Sequence, residues 1–173
     1  MTSFLVRFAR RQASWEGDLS LEEVQQAEFK ARDGNPDLRP SVYIVADTES
    51  ALTQVYAEHC ATPPITPERT TIGIDTTECA DRILNTEGSP RFATAREAHR
   101  EYEIPDLAAL LAFVDRLRDR VKARRTREVT RERVVAYARE RVRAADVEWI
   151  AVAQLDKDWL KALRRFIPTP DDK

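Results

Sequence analysis

Short apolar runs along the first hundred residues predict a series of strands. Ser3–Phe8 is brief and partly alternating, which indicates a first strand. Val42–Ala46 is continuous and rich in β-branched residues, as expected of a central strand buried on both faces. Thr70–Ile74 predicts a third strand. Residues 91–103 fit either a helical face or an edge strand, and we expect a strand only at their end, before Pro105.

Capping signals predict helices between these strands. Ser20 and Glu23 stand three residues apart, as a capping box requires. The helix that they start is expected to end near Gly34, which can adopt the left-handed backbone conformation of a helix terminus. Asp47 and Thr48 can cap a second helix, because a side-chain oxygen at that position accepts from the first free backbone amides.

The second half of the chain is predicted to be mainly helical. A helix begins after Asp106 with a clean apolar stripe. The stripe consists of Leu107, Leu110, Leu111, Val114, Leu117 and Val121. A longer helix would have no apolar side to bury, so residues 122–133 are expected to form a polar connector or arm. Further helices are predicted from about Thr130 and over 156–166, whereas residues 147–155 fit a strand or a helix.

The order of these elements predicts the fold class. Strands alternate with helices through residue 115, so we expect an α/β or α+β fold with a small mixed sheet of three to four strands and flanking helices. A helical, arginine-rich C-terminal region is expected to follow. The predicted organisation is an acidic body over residues 1–115 and a basic region over 116–173 that packs on the body.

Charge is distributed very unevenly along the chain. Residues 116–143 contain twelve positive and four negative side chains, a net charge of +8. Residues 1–115 carry −9 and the tail from residue 144 carries −1, which gives the whole chain its net charge of −2. An asymmetry of this kind points to an anionic partner.

The basic segment has three interpretations. It can be neutralised by the acidic body, it can bind a nucleic-acid backbone, or it can dock to an acidic protein. Arg116, Arg120, Arg124 and Arg127 recur at three- and four-residue intervals and are expected to form one contacting ridge, which Arg131 would extend. This stretch contains no aromatic residue for base stacking, so any nucleic-acid contact would be sequence-nonspecific. We therefore expect a non-enzymatic binding or accessory protein that contacts an anionic surface through an arginine-rich helix.

Carboxylates at strand ends support a competing prediction, a metal-dependent enzyme. Asp47 and Asp75 each follow a predicted strand and, with Glu78, could hold a divalent cation, while His99 could act as acid or base. Helix capping explains the same aspartates more simply. Asp75 and Glu78 would then form a capping box before a short helix through Ile83–Leu84.

The cysteines and histidines do not predict a metal site. Cys60 and Cys79 lie far apart in the sequence, and neither forms a short paired motif with His59 or His99. We expect His59 to be a partly buried, hydrogen-bonded histidine and the cysteines to be small core residues. A Cys–His nucleophilic pair that includes His99 is the minor alternative.

Composition limits the remaining possibilities. The four glycines form no phosphate-binding loop, so we expect no cofactor. No apolar run approaches the ~20 residues needed to span a bilayer, and Met1–Gln12 is too polar for a signal peptide, so a cytoplasmic protein without membrane contact is expected. A third functional class is a structural subunit, with Trp149 and Trp159 exposed at an oligomer interface. The oligomeric state is left open.

Overall fold

The computed structural model describes residues 3–9, 15, 17, 19–30, 34–61, 71–79, 83–84, 92–163 and 165. The strands are β1 (Ser3–Ala9), β2 (Ser41–Ala46), β3 (Thr71–Asp75), β4 (Ile83–Leu84), β5 (His99–Tyr102) and β6 (Thr126–Val129). The helices are α1 (Leu21–Glu28), α2 (Glu49–Cys60), α3 (Ala93–Ala98), α4 (Leu107–Lys122), α5 (Arg131–Arg143), α6 (Val147–Leu155) and α7 (Lys157–Leu163). A 3₁₀ turn spans Thr77–Cys79. The fold is therefore a mixed α+β architecture.

The strands form one sheet in the order β4-β5-β2-β1-β3-β6. The predicted mixed sheet of three to four strands is wrong, because the described strands number six and all their pairings are antiparallel. β1 lies between β2 and β3, with Leu5 opposite Ile44 and Phe8 opposite Gly73. β2 and β3 consequently run parallel to each other, but β1 separates them, as in a split βαβ unit.

Both faces of the sheet are covered, because successive side chains of a strand point to opposite sides. Val6 and Phe8 of β1 pack with α2, α5, α6 and α7 in a first core. Leu5 and Ala9 of the same strand pack with α1 and α4 in a second core. The sheet is thus the middle layer of three.

Trp149 and Trp159 belong to the first core, contrary to the prediction that they are exposed. Their exposed fractions are 1% and 0%, and their rings meet edge to face with centroids 5.2 Å apart. Helical spacing alone does not distinguish an inward aromatic stripe from an outward one. The two indoles are therefore not available as anchors for an oligomer interface.

The predicted caps of the first two helices are confirmed. Ser20 Oγ accepts from the amide of Glu23 at 3.2 Å, and Glu23 Oε2 accepts from the amide of Ser20 at 2.8 Å. Thr48 caps α2 by accepting from the amide of Ala51. Helix α1 is shorter than predicted, since it ends at Glu28.

Two predictions in the middle of the chain need correction. The pair Ile83–Leu84 forms β4 and not a helix, because its backbone pairs with β5. Residues 99–102 form the strand expected before Pro105, but a short helix, α3, precedes it.

Residues 147–155, which fitted either type of element, form helix α6.

The expected polar arm after α4 is also wrong. Helix α4 ends at Lys122 as predicted, but Thr126–Val129 then joins the sheet as β6, antiparallel to β3. Val129 is buried against the first core. The basic segment therefore contains a strand between α4 and α5, and its first residue, Arg116, lies within α4.

Candidate anion-binding site

Helix α4 ends in a turn that presents consecutive arginines. Arg124 follows the helix with φ 55°, in the left-handed region. Its amide donates to the carbonyl of Val121 at 3.0 Å, and the amide of Arg125 donates to the carbonyl of Arg120 at 2.9 Å. These two bonds define a Schellman motif, whose left-handed position is usually glycine. A side chain there costs about 1–2 kcal/mol, so Arg124 occupies a strained position.

Three neighbouring clefts surround this turn and share lining residues. The first cleft, of about 400 Å³, is lined by Arg124, Arg125 and Arg127 together with Asp47 and Asp75. The second, of about 460 Å³, is lined by Arg118, Lys122 and Arg124. The third, of about 310 Å³, is lined by Arg116, Arg120 and Arg125 together with Glu78 and Asp119. We call the cationic residues of these clefts the basic surface: Arg116, Arg118, Arg120, Lys122, Arg124, Arg125 and Arg127.

Part of this surface is neutralised by the protein's own carboxylates. Glu78 Oε1 binds Arg125 Nη1 at 2.6 Å, and its Oε2 binds Arg120. Asp47 Oδ1 binds Arg127 across the sheet edge. Internal neutralisation, one of the three interpretations of the segment, is therefore real for these arginines.

Arg124 differs from these neighbours. Among the described residues, none forms an ion pair or a side-chain hydrogen bond with its guanidinium. The side chain is exposed and lines both the first and the second cleft. Among the described residues its charge is thus not compensated by a carboxylate, which is also true of Lys122 in the second cleft.

The five arginines predicted to form one helical ridge do not share a helix. Arg116 and Arg120 lie one turn apart on α4, and Arg124 lies in the turn that ends it. Arg127 lies on β6, and Arg131 is the first residue of α5. The predicted ridge does not form, because the helix that would carry it ends at Lys122. Anion binding by these residues stays a prediction.

The candidate carboxylates lie near one edge of the sheet but contact different groups. Asp47 and Asp75 line the same cleft because β2 and β3 end at the same edge. Asp47 binds Arg127, whereas Asp75 Oδ1 accepts from the amide of Thr77 at 2.9 Å. The capping box predicted for Asp75 and Glu78 is wrong, since only a 3₁₀ turn follows. Within the described part of the chain, no three His, Cys, Asp or Glu side chains are grouped to hold a metal ion.

Both histidines contact Tyr43 in and beside the first core. His59 Nδ1 lies 2.6 Å from the Tyr43 hydroxyl, which confirms the hydrogen-bonded histidine expected there. His99 is buried, with Nε2 2.9 Å from Ser41 Oγ and its ring 5.4 Å from that of Tyr43. This burial separates His99 from the clefts that hold the candidate carboxylates.

Cys60 is a core residue, as predicted. It is 1% exposed, and burial raises the pKa of its thiol to about 12. A nucleophilic cysteine requires a lowered pKa, so its environment favours the unreactive thiol. The side chain of Cys79 lies outside the described residues.

The chain matches no family model, no curated protein and no solved structure. Among the described helices, none has the length and apolar character needed to cross a bilayer.

Sequence reasoning missed Arg118, Lys122 and Arg125 as members of the surface. A continuing helix would place Arg118 and Arg125 on the same face as Val114 and Val121. Arg125 instead lies beyond the Schellman turn, where that spacing no longer applies. A glycine at position 124 would have marked this turn, but the chain has arginine there.

Proposed function

We propose that this protein binds the phosphate backbone of nucleic acid through the basic surface around the α4–β6 turn. The observation that carries the proposal is Arg124, an exposed guanidinium with no carboxylate partner among the described residues, at a strained backbone position between two clefts. Strained conformations persist where the surrounding structure imposes them, and they cluster at functional sites.

The arrangement of charges supports an extended polyanion as the ligand. The three clefts are contiguous, because Arg124 is common to the first two and Arg125 to the first and third. A row of phosphates can meet several such clefts at once, and each contact releases counterions. Guanidinium groups also match phosphate oxygens with paired donors.

The contacts of the carboxylates favour binding over metal-dependent catalysis. Asp47 and Glu78 are engaged by arginines, and Asp75 accepts from a backbone amide. Metal-binding carboxylates need oxygens directed at a common point. These residues act more simply as internal counterions and as a turn cap.

The proposal is tested by measuring the affinity for a short DNA duplex over a range of salt concentrations. Replacing both Arg124 and Arg127 by Ala should weaken binding to unrelated sequences equally and lower the slope of log affinity against log salt by roughly one to two, because Arg127 is already paired with Asp47. Arg127 is half-exposed, so folding should be unaffected. Arg96→Ala, an exposed arginine on α3, is the matched control and should change neither quantity.

Each alternative result has a definite meaning. Absence of duplex binding by the wild-type protein would refute the proposal. Tighter binding to polyglutamate than to duplex at equal salt would replace it by the acidic-protein partner. Arg131→Ala in the same series tests whether this residue, at the start of α5, extends the surface.

A further inference from the structure

We propose that Arg120 and Arg125 form a clamp for a phosphate monoester group, and that Glu78 occupies this clamp as an internal counterion until the phosphate displaces it. The clamp is part of the basic surface and so rests on the function proposed above. The geometry that points to it is a single carboxylate whose two oxygens each bind a guanidinium from a different residue.

The backbone sites of the two arginines are fixed independently of Glu78. The Schellman hydrogen bond joins the amide of Arg125 to the carbonyl of Arg120 at 2.9 Å, which fixes the two backbone sites relative to each other. Glu78 comes from a different element, the 3₁₀ turn after β3. Both arginine backbones therefore stay in place when the carboxylate leaves, and their side chains can close on an incoming anion.

Exposure favours the exchange of one anion for another. The side chain of Glu78 is 60% exposed, so the released carboxylate can be hydrated with little loss. The side chain of Arg120 is only 14% exposed, and partial burial strengthens its attraction for whichever anion occupies the clamp. The site thus combines a partly buried arginine with an exposed carboxylate that another anion can replace.

A phosphate monoester matches this clamp better than a carboxylate does. A phosphate monoester carries a charge of about −1.5 to −2 at neutral pH and three strong acceptor oxygens, against one charge and two oxygens for Glu78. Arg116 lines the same cleft and adds a further positive charge there. The cleft volume of about 310 Å³ is roughly ten times that of one water molecule, which leaves room for the incoming group.

The test titrates the folded protein with inorganic phosphate by calorimetry or NMR. Glu78→Gln removes the internal competitor and should tighten phosphate binding about three- to tenfold. Asp119→Asn is the matched control, because it removes one negative charge from the same cleft without touching the clamp. Arg125→Gln, at a half-exposed position, should lose most of the affinity.

Two results would overturn the clamp: unchanged affinity in Glu78→Gln, or a gain no larger than that of Asp119→Asn. If Glu78→Gln is poorly folded, loss of phosphate binding in Arg125→Gln still supports the clamp, and retention overturns it. Oligonucleotides with 5′-phosphate and 5′-hydroxyl ends then identify the source of the phosphate. Preference for the 5′-phosphate assigns a nucleic-acid end, whereas equal binding together with a phosphate response assigns a small phosphate ester.

The proposed nucleic-acid binding and the proposed clamp can be refuted independently of each other. Duplex binding without a Glu78→Gln effect leaves the proposed function standing and removes the clamp. A Glu78→Gln effect on inorganic phosphate without any duplex binding keeps the clamp and removes the proposed function.

Discussion

The carboxylate of Glu58 accepts a hydrogen bond from the backbone amide of Ala95, with Oε2 and the nitrogen 2.9 Å apart. Ala95 lies in the first turn of α3, where the cap residue Phe92 provides no side-chain acceptor. The other oxygen, Oε1, accepts from the hydroxyl of Tyr137 on α5 at 3.1 Å. One buried side chain of α2 therefore caps one helix and ties it to another.

Glu58→Gln should lower the free energy of unfolding by about 1–3 kcal/mol, because it removes the buried charge that strengthens the bonds from Ala95 and Tyr137. Urea denaturation measures this loss. Glu49→Gln on the same helix is the control, since its ion pair with Arg133 is exposed and should be worth less than about 1 kcal/mol. Equal losses in the two variants would show that the buried carboxylate has no special structural role.

Helix α5 ends in the same way as α4, with Ala145 at φ 57° in the left-handed position of a second Schellman motif. Glycine removes this strain but gains freedom in the unfolded chain, so Ala145→Gly and Arg124→Gly should each stabilise the fold by about 0.5–1 kcal/mol. Only Arg124→Gly should weaken duplex binding. A destabilised Arg124→Gly protein would contradict the assignment of strain, and undiminished binding would remove Arg124 from the site.

Cys60 should resist alkylation in the native protein, because its raised pKa keeps the thiol protonated in a buried site. A Cys79→Ser background isolates its reaction. At about pH 8, iodoacetamide should react slowly with the native protein and at the rate of a free thiol in denaturant. Fast native labelling would mean that the thiol is accessible and ionised.

The same shift predicts a loss of stability in alkali. The folded state raises the pKa of the Cys60 thiol from 9.0 to about 12, so it favours the protonated form. The stabilisation that this provides is complete below the unfolded value and is lost as the pH rises from 9.0 towards 12. Denaturation as a function of pH should show this decline, and Cys60→Ala should show a shallower one.

Much of the fold was predictable where local signals and burial agree. The capping box at Ser20, the cap at Thr48 and the apolar stripe of α4 each mark a helix by their own residues. Strand β6 was not predictable in this way. Only Val129 of its four residues is buried, so it has no apolar alternation, and its pairing partner β3 is distant in the sequence.

The candidate site was predictable in composition but not in shape. The charge pattern identified the arginines of residues 116–131, and the strand ends brought Asp47 and Asp75 to one edge. Nothing local indicates that Arg127 meets Asp47, since 80 residues separate them. The turn at Arg124 could not be predicted from the sequence, because arginine stands where glycine is usual.

The first core joins elements that are far apart in the sequence, because Val6 and Phe8 of β1 pack with Trp159 and Leu163 of α7. During synthesis on the ribosome, the first core stays incomplete until these late residues emerge. A translation pause before α7 would therefore leave apolar residues of this core exposed and prone to aggregate.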